Sequence, residues 1–391
     1  MGDQKAQQAG HARANELLLL QLTSRIKANP SVDLSDILAQ QTSSYPKLRR
    51  SLAGQEQTQG AGERAAPPAP QPQSAYQLEA SGTPQIIHPI HPLLSQRLKL
   101  PIEAGAWLHP TQNFSKESIA ILNKAIRNGT PLGSAGGTPV VNLGSSIVVK
   151  FGRSLSTDQI KVLQWIKAQD SRFPVPDALG ALETTDRTYL FMTLAEGVPL
   201  EKVWQDLSVL QKTSIRSQLN RIFERLRLFS HPQHSPLGSL SSRCTDMRRS
   251  ERTSSVTISS EADFNDFLCS HPQRARSRWI KLIRNSMRDD HRIVMTHGDL
   301  HPKNIMVTWD GCTASGPQSH VPNAEIRIQI TSLLDWEFSG WYPQYWEFVK
   351  ALNTIGRRDP MSDWIEYLPP SIGVWMVEYA LDSQISRWLG E

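Results

Sequence analysis

The stretch that decides the reading is Ile293-Val294-Met295-Thr296-His297-Gly298-Asp299-Leu300-His301-Pro302-Lys303-Asn304-Ile305-Met306-Val307. Apolar runs on both sides bracket a polar loop. Within the loop a carboxylate and a carboxamide stand five residues apart, at Asp299 and Asn304. Asp299 can accept the proton of an attacking hydroxyl, and Asn304 offers a neutral oxygen to a metal ion. Pro302 keeps the connection between them out of a helix. Phosphoryl transfer asks a protein mainly for positioning and charge neutralisation, and these residue types suit it.

A second segment follows, Ile330-Thr331-Ser332-Leu333-Leu334-Asp335-Trp336-Glu337-Phe338-Ser339-Gly340-Trp341. Asp335 comes directly after a strand-like apolar run. A carboxylate at a strand end is well placed to hold Mg²⁺ against phosphate oxygens. Gly340 is expected to supply a turn conformation closed to other residues.

In this order, His-Gly-Asp-Leu-His-Pro-x-Asn-Ile and then Leu-Asp-Trp-Glu-x-x-Gly resemble the aminoglycoside phosphotransferase/choline kinase-like family, its fungal members in particular. The likeness continues in Phe173-Pro174-Val175-Pro176, in Leu190-Phe191-Met192 with Glu196-Gly197, in Ser260-Glu261-Ala262-Asp263-Phe264 and in Trp341-Tyr342-Pro343-Gln344-Tyr345-Trp346-Glu347-Phe348, and covers residues 130–390. It implies an α+β, bilobal protein-kinase-like fold, with a small β-rich N-lobe and a larger, mainly helical C-lobe. It implies transfer of the ATP γ-phosphoryl group to a hydroxyl of a small-molecule acceptor. Asp299 would then be the catalytic base, Asn304 and Asp335 the Mg²⁺ ligands, and Lys150 the partner of the α- and β-phosphates. Strand alternation puts Val148 on the face of Lys150, where it could line the adenine pocket. Phe191, Met192 and Leu194 are expected along the hinge beside the adenine ring, bonding it through backbone. Gly136 and Gly137 are expected in the loop over the phosphates.

The sequence departs from the family pattern in three places. The family carries a glutamate on the helix after the lysine strand, to pair with the lysine. Here the matching stretch is Thr157-Asp158-Gln159-Ile160, with Gln159 nearest that place and Asp158 one register away. Gln159 brings no charge, and with Ser156 it makes a capping-box pattern at the helix start. The glycines Gly133, Gly136 and Gly137 do not form a G-x-G-x-x-G. Asp310 to Asn323 reads as a polar insertion looped out on the surface.

Outward from these segments the chain divides in three. Residues 1–85 read as a largely disordered, low-complexity extension: Gln, Ala, Gly, Pro and Ser dominate Ser51 to Pro84, too few large apolar residues to offset chain entropy. Residues 86–194 read as the nucleotide-binding N-lobe. A helix is expected over Lys116 to Asn128, a hairpin from Val140–Leu143 and Ile147–Phe151 turning at Gly144-Ser145-Ser146, a helix over Thr157 to Gln169, and a strand over Thr188 to Met192. Residues 195–391 read as the C-lobe with the catalytic loop, metal and acceptor site. Ile215, Leu219, Ile222, Phe223 and Leu226 make one helical face, ending before Pro232, and Ala275 to Met287 make another helix.

The 391 residues carry a formal charge of +5. Much of the excess lies between Arg243 and Arg292, without aromatic platforms, and reads as a solvated helix surface; no nucleic-acid partner is expected. The cysteines Cys244, Cys269 and Cys312 lie far apart, with no C-x-x-C pair, which fits a reducing compartment. Leu17 to Leu20 is too short to span a bilayer. No signal-peptide pattern is present, and Ala6 stands where a myristoylation signal has Ser or Thr. The expectation is a cytoplasmic enzyme with no membrane partner, acting on a small hydroxylated acceptor with ATP and Mg²⁺.

Other residues are open to two readings. His297 and His301 suit either chemistry or backbone bonding in the loop. Trp336, Trp341, Tyr342, Tyr345 and Trp346 suit an acceptor pocket or core packing. Asp359, Asp363, Glu366, Glu378 and Asp382 suit a cationic acceptor or solvated helix faces. Two further functions compete with the kinase reading. The non-acidic Gln159 and the irregular glycine loop suit a catalytically weak, nucleotide-binding interaction protein. Gly298-Asp299-Leu300-His301 looks like a metallophosphoesterase segment, but such two-metal sites commonly include an Asn-His pair, and the chain has none.

Overall fold

The computed structural model describes residues 84–389, apart from 102–105, 113, 136–137, 154, 247–251, 271–277, 310–326 and 357–358. The expected disordered extension therefore lies outside the described residues except for Pro84 and Gln85, and Gln85 already opens a strand. The expected insertion over Asp310–Asn323 also lies outside them.

The chain runs β1 (Gln85–His88), α1 (Pro92–Leu98), α2 (Lys116–Asn128), β2 (Thr130–Ala135), β3 (Thr138–Gly144), β4 (Ile147–Gly152), α3 (Asp158–Gln169), β5 (Ala178–Glu183) and β6 (Thr188–Thr193). These strands make one six-stranded sheet in the order β1-β5-β6-β4-β3-β2, antiparallel throughout. The expected hairpin is β3–β4. Gly144 pairs with Ile147, and Ser145 (φ 51°) and Ser146 (φ 59°) turn in the left-handed region that matches strand twist.

α2 forms where the apolar spacing places it. Ser115 caps it by accepting from the Ser118 amide at 3.0 Å. Ile119, Leu122 and Ile126 are buried on one face and join Val141, Val149, Phe151 and Phe191 in a core on one side of the sheet. Each such side chain removed from water contributes about 1.5–3 kcal/mol. The other side of the sheet gathers Val148, Leu190 and Met192 against Ile160 of α3. Alternation along β4 thus sends Val149 toward α2 and both Val148 and Lys150 toward α3.

Ser156 and Gln159 do not form a capping box. The N-cap of α3 is Thr157, whose φ of −78° and ψ of −6° are already helical, and it makes no side-chain cap bond. A box needs an extended cap residue. Ser156 Oγ accepts instead from the Asp158 amide at 3.2 Å, and Gln159 is buried with its Oε1 unpartnered among the described residues.

The rest of the chain is richer in helix: β7 (Val198–Pro199), α4 (Leu200–Val203), α5 (Val209–Leu228), β8 (Thr245–Asp246), β9 (Arg252–Thr253), α6 (Glu261–Leu268), α7 (Arg278–Ser286), β10 (Ile293–Thr296), β11 (Ile305–Trp309), β12 (Ile328–Leu333), β13 (Gly340–Pro343), α8 (Trp346–Asn353) and α9 (Met376–Leu389). The expected two-part α+β architecture is the one observed. α5 opens on a capping box of Ser208 and Gln211, and its expected apolar face is buried. The helix expected over Ala275–Met287 is α7, its first residues lying outside the described ones.

One core joins α5 to the strands around Met295, Ile305, Leu333 and Trp336, and takes in Val162, Leu163 and Ile166 of α3. α3 therefore packs on the sheet with one face and on the helical half with another. A further core gathers Phe264, Ile280, Tyr342, Trp346 and Ile385 from α6, α7, β13, α8 and α9. Trp336, Trp341, Tyr342, Tyr345 and Trp346 are all buried in these two cores, so packing accounts for them. In the basic segment Arg284 pairs with Asp266 and Asp289, and Arg288 with Asp290. Among the described residues, no helix is long and apolar enough to cross a membrane.

Two small sheets carry the strands that flank Asp299, Asn304 and Asp335, β10-β13 and β12-β11-β7. The free side of β12 is held by a side chain: Gln218 of α5 donates to the Ile328 carbonyl and accepts from the Ile330 amide, both at 2.9 Å. Gly340 is needed for space, not for a turn. Its φ is not among the positive ones, but a Cβ there would lie 2.1 Å from the Gly238 carbonyl oxygen.

Candidate active site

β10 ends at Thr296 and delivers His297 to His301; a 3₁₀ turn, Pro302–Asn304, leads into β11. β12, antiparallel to β11, delivers Asp335 beside this loop. The two deliveries are stitched together. The Leu334 amide donates to the Asn304 carbonyl at 2.8 Å. His297 lies 2.8 Å from the Leu334 carbonyl through Nε2, and its Nδ1 accepts from the Asp299 amide at 3.2 Å. Those partners fix the tautomer: Nε2 carries the proton and donates. His297 is thus a structural brace, further packed edge-on against Trp336 with ring centroids 4.6 Å apart.

Beneath the loop sits Glu347 of α8, fully buried. It accepts from the His297 amide at 2.6 Å and from the Gly298 amide at 3.4 Å. Gly298 has φ +82°, and a Cβ there would meet the Phe338 carbonyl oxygen at 2.6 Å, so both conformation and space demand glycine. His301 accepts from the Lys303 amide through Nδ1 at 3.0 Å and shapes the turn. Burial and the nearby Lys303 cation hold its pKa below the ordinary histidine value, opposed by the acids Glu201, Asp299 and Asp359.

Asp299 is buried, and its Oδ2 is doubly engaged. Asn304 Nδ2 donates to it at 2.8 Å and Lys303 Nζ lies 3.2 Å away. Asn304 Nδ2 also donates to the Asp299 carbonyl at 2.9 Å. With the nitrogen so used, the amide oxygen of Asn304 is the atom left to offer outward.

Asp335 has left-handed backbone (φ 63°, ψ 60°), which turns the chain sharply at the end of β12. Lys150, buried on β4, donates from Nζ to Asp335 Oδ1 at 2.7 Å and to Glu337 Oε2 at 2.8 Å. Burial pulls the lysine pKa down, but the two carboxylates outweigh it and hold it above the ordinary value. One lysine shared by two acids leaves negative charge over. Burial and then the Asp335 carboxylate push Glu337 above the ordinary glutamate value against the pull of Lys150.

The structure therefore brings Lys150 and Asp335 into contact, and Asp299 into contact with Asn304. Val148 and Met192 share the sheet face toward α3, whereas Phe191 points to the opposite core. The Leu194 amide is already bonded to the Ser146 carbonyl at 2.8 Å. Gly136 and Gly137 lie outside the described residues. Of the acids near the C-terminal end, Asp363 is held by Lys212 and Trp204, and Asp382 by Asn353. Sequence reasoning missed Glu337 and Glu347. Their only sequence signal was an acid set among residues that are otherwise apolar, Trp336-Glu337-Phe338 and Trp346-Glu347-Phe348.

Asp335 and Asn304 carry hard oxygen donors of the kind Mg²⁺ takes, one carboxylate and one amide. Among the described residues, no cluster of three or more His, Cys, Asp or Glu could hold a metal ion by itself.

Residues 140–316 match the family model described as the phosphotransferase enzyme family, which bears out the resemblance read from the motifs. The matched span includes Lys150, Asp299 and Asn304 and stops before Asp335. No curated protein matches the chain. Similar solved structures include an aminoglycoside-3'-phosphotransferase of type VIII (13% identity, 70% of this chain and 92% of that one, TM-score 0.40). They also include an aminoglycoside phosphotransferase from Streptomyces rimosus (14%, 68% and 94%, TM-score 0.39). A third is a gentamicin complex of APH(2")-IIa (10%, 71% and 87%, TM-score 0.41).

Proposed function

We propose that this chain is a kinase that moves the γ-phosphoryl group of ATP onto a hydroxyl of a small-molecule acceptor, with residues 86–194 as the nucleotide-binding lobe and 195–391 as the lobe of the catalytic loop and acceptor. The observation that carries the reading is the Lys150–Asp335 contact at 2.7 Å, which joins the sheet to the strand pair that also holds Asp299 and Asn304. A cation on a β-strand, a carboxylate at a strand end and an Asp/Asn pair on one loop are the parts that phosphoryl transfer needs.

Lys150 would leave its carboxylates in part to meet the α- and β-phosphates, with Val148 and Met192 beneath the adenine and the Phe191–Leu194 crossing beside it. Asp299 Oδ2 is held by Asn304 and Lys303, so Oδ1 is the oxygen that receives the acceptor's proton. As that proton moves to Asp299, the acceptor oxygen forms its bond to the γ-phosphorus and the bond to the bridging oxygen breaks, its electrons leaving with ADP. Mg²⁺ held by Asn304 and Asp335 would neutralise phosphate charge. Lys303, at the rim of the loop, is placed to steady the transferring group.

Hydroxylated metabolites, amino sugars and choline-like alcohols among them, are the acceptors to screen. The test is ADP release across hydroxylated metabolites, with Asp299→Asn as the blank. Acceptor-dependent release that disappears in Asp299→Asn is the expected result. A chain that releases no ADP with any acceptor and shows no thermal shift with ATP and Mg²⁺ would instead be a non-catalytic interaction protein.

A further inference from the structure

Resting on the kinase reading above, we infer that Glu337 is the residue that positions Lys150, taking over from the C-terminal half the task for which α3 supplies no acid.

The first support is what α3 offers. Asp158 is committed to the far side of its turn: Ser239 Oγ donates to it at 2.9 Å, Ser241 Oγ donates as well, and Lys161 lies 3.2 Å away. Gln159 carries no charge, and its buried Oε1 meets no partner. Among the described residues, no hydrogen bond or ion pair joins Lys150 to α3.

The second support is the division of labour between the two acids that do hold the lysine. Asp335 stands at the strand end with its backbone pinned in the left-handed region, and it is the carboxylate suited to a cation. Once it faces a cation it is a weakened acceptor for a second positive group. Glu337 is two residues further on, past the turn, and reaches Lys150 from its own side at 2.8 Å. It keeps the lysine anchored whether or not Asp335 is engaged. The aromatic residues on either side limit its freedom. Trp336 is buried and bonds the Leu333 carbonyl through Nε1 at 3.0 Å, and the Phe338 carbonyl lies against Gly298. The acid is therefore held by the same short turn that presents Asp335, and lysine, cation ligand and catalytic loop share one support.

The test is a double-mutant cycle on the full chain: Lys150→Met, Glu337→Gln and the two together, each measured for ligand-free unfolding and for affinity toward ATP with Mg²⁺. Glu337→Gln is expected to weaken nucleotide binding by about tenfold, as loss of a charged hydrogen bond does. It should leave the Mg²⁺ concentration for half-effect unmoved. Added to Lys150→Met it should weaken binding no further, and it should recover part of the stability that the lysine's loss removes. Glu337→Asp, which keeps the charge, should recover most of the affinity. Undiminished nucleotide affinity in Glu337→Gln overturns the inference, as do additive losses in the double variant. A shift in Mg²⁺ requirement would make Glu337 a cation ligand and overturn it too. Silence of the wild-type chain toward ATP with Mg²⁺ takes down the kinase reading itself, and is told apart because the wild type is then the silent protein.

Discussion

Asn304 is tied to Asp299 twice by one nitrogen, to the carbonyl at 2.9 Å and to carboxylate Oδ2 at 2.8 Å. In the proposed reaction, the carboxamide that would present an oxygen to a cation is therefore also the brace of the proposed base. Asn304→Ala removes both services at once. We expect it to lower the rate of acceptor-dependent ADP release by about 100-fold or more, the size of effect seen when a preorganised donor is removed. Steady-state kinetics with the acceptor found in the screen would check this, and a rate within a few-fold of wild type would show that the brace is dispensable.

Glu347 supports the loop from below. It is fully buried and accepts two loop amides, with the partly buried Arg227 close enough for its field to be felt. Glu347→Ala leaves those amides unsatisfied in the core. We expect a loss of about 2–3 kcal/mol in unfolding free energy. Urea denaturation measures it; a variant as stable as the wild type would mean that water replaces the carboxylate.

Gly298→Ala introduces a Cβ at φ +82°, 2.6 Å from the Phe338 carbonyl oxygen. Both the conformation and the contact are unfavourable, and we expect about 1–3 kcal/mol of destabilisation. Because the displaced neighbour belongs to the turn after Asp335, activity should fall further than stability does. Thermal unfolding and ADP release on the same preparation separate the two effects.

Asp158 supplies a pH test. Burial pushes its carboxyl up, but the Ser241, Ser239 and Lys161 donors outweigh this and hold it below the ordinary aspartate value. A depressed folded-state pKa contributes stability that is present above the unfolded-state pKa, roughly pH 4, and is lost as pH falls through the folded one. Wild type should thus exceed Asp158→Asn at pH 7 by about 1–2 kcal/mol, the scale of charged hydrogen bonds. Denaturation series at descending pH should show the gap closing below the ordinary aspartate value. A gap that persists unchanged to the lowest pH would contradict the assignment.

What the sequence revealed was what is local. Helix α2 coincides with its apolar spacing, since Ser115, Ile119, Leu122 and Ile126 decide it among themselves. The Asp299–Asn304 pair was legible because five residues on one loop bring both groups together. Glu337 was not, because its partner Lys150 is 187 residues away and only the pairing of distant strands makes them neighbours. The capping box failed for a related reason: side-chain identity at Ser156 and Gln159 was right, but the backbone at Thr157 was already helical. Gly340 looked like a turn residue and proved to be a point where two backbones nearly touch, which depends on Gly238 a hundred residues earlier.

The crossing from β6 to β7 has a mechanical consequence. Leu194 is fastened to Ser146, the Glu196 carbonyl is fastened to Thr331 at 2.7 Å, and Gly197 is wedged against the Val307 carbonyl. Among the described residues, no hydrogen bond fastens Ala195. The crossing is thus fixed at both ends, to the six-stranded sheet through Ser146 and to β11 and β12 through Val307 and Thr331. A substitution at Ala195 that keeps both attachments should therefore be tolerated better than one at Gly197, where any side chain meets the Val307 carbonyl.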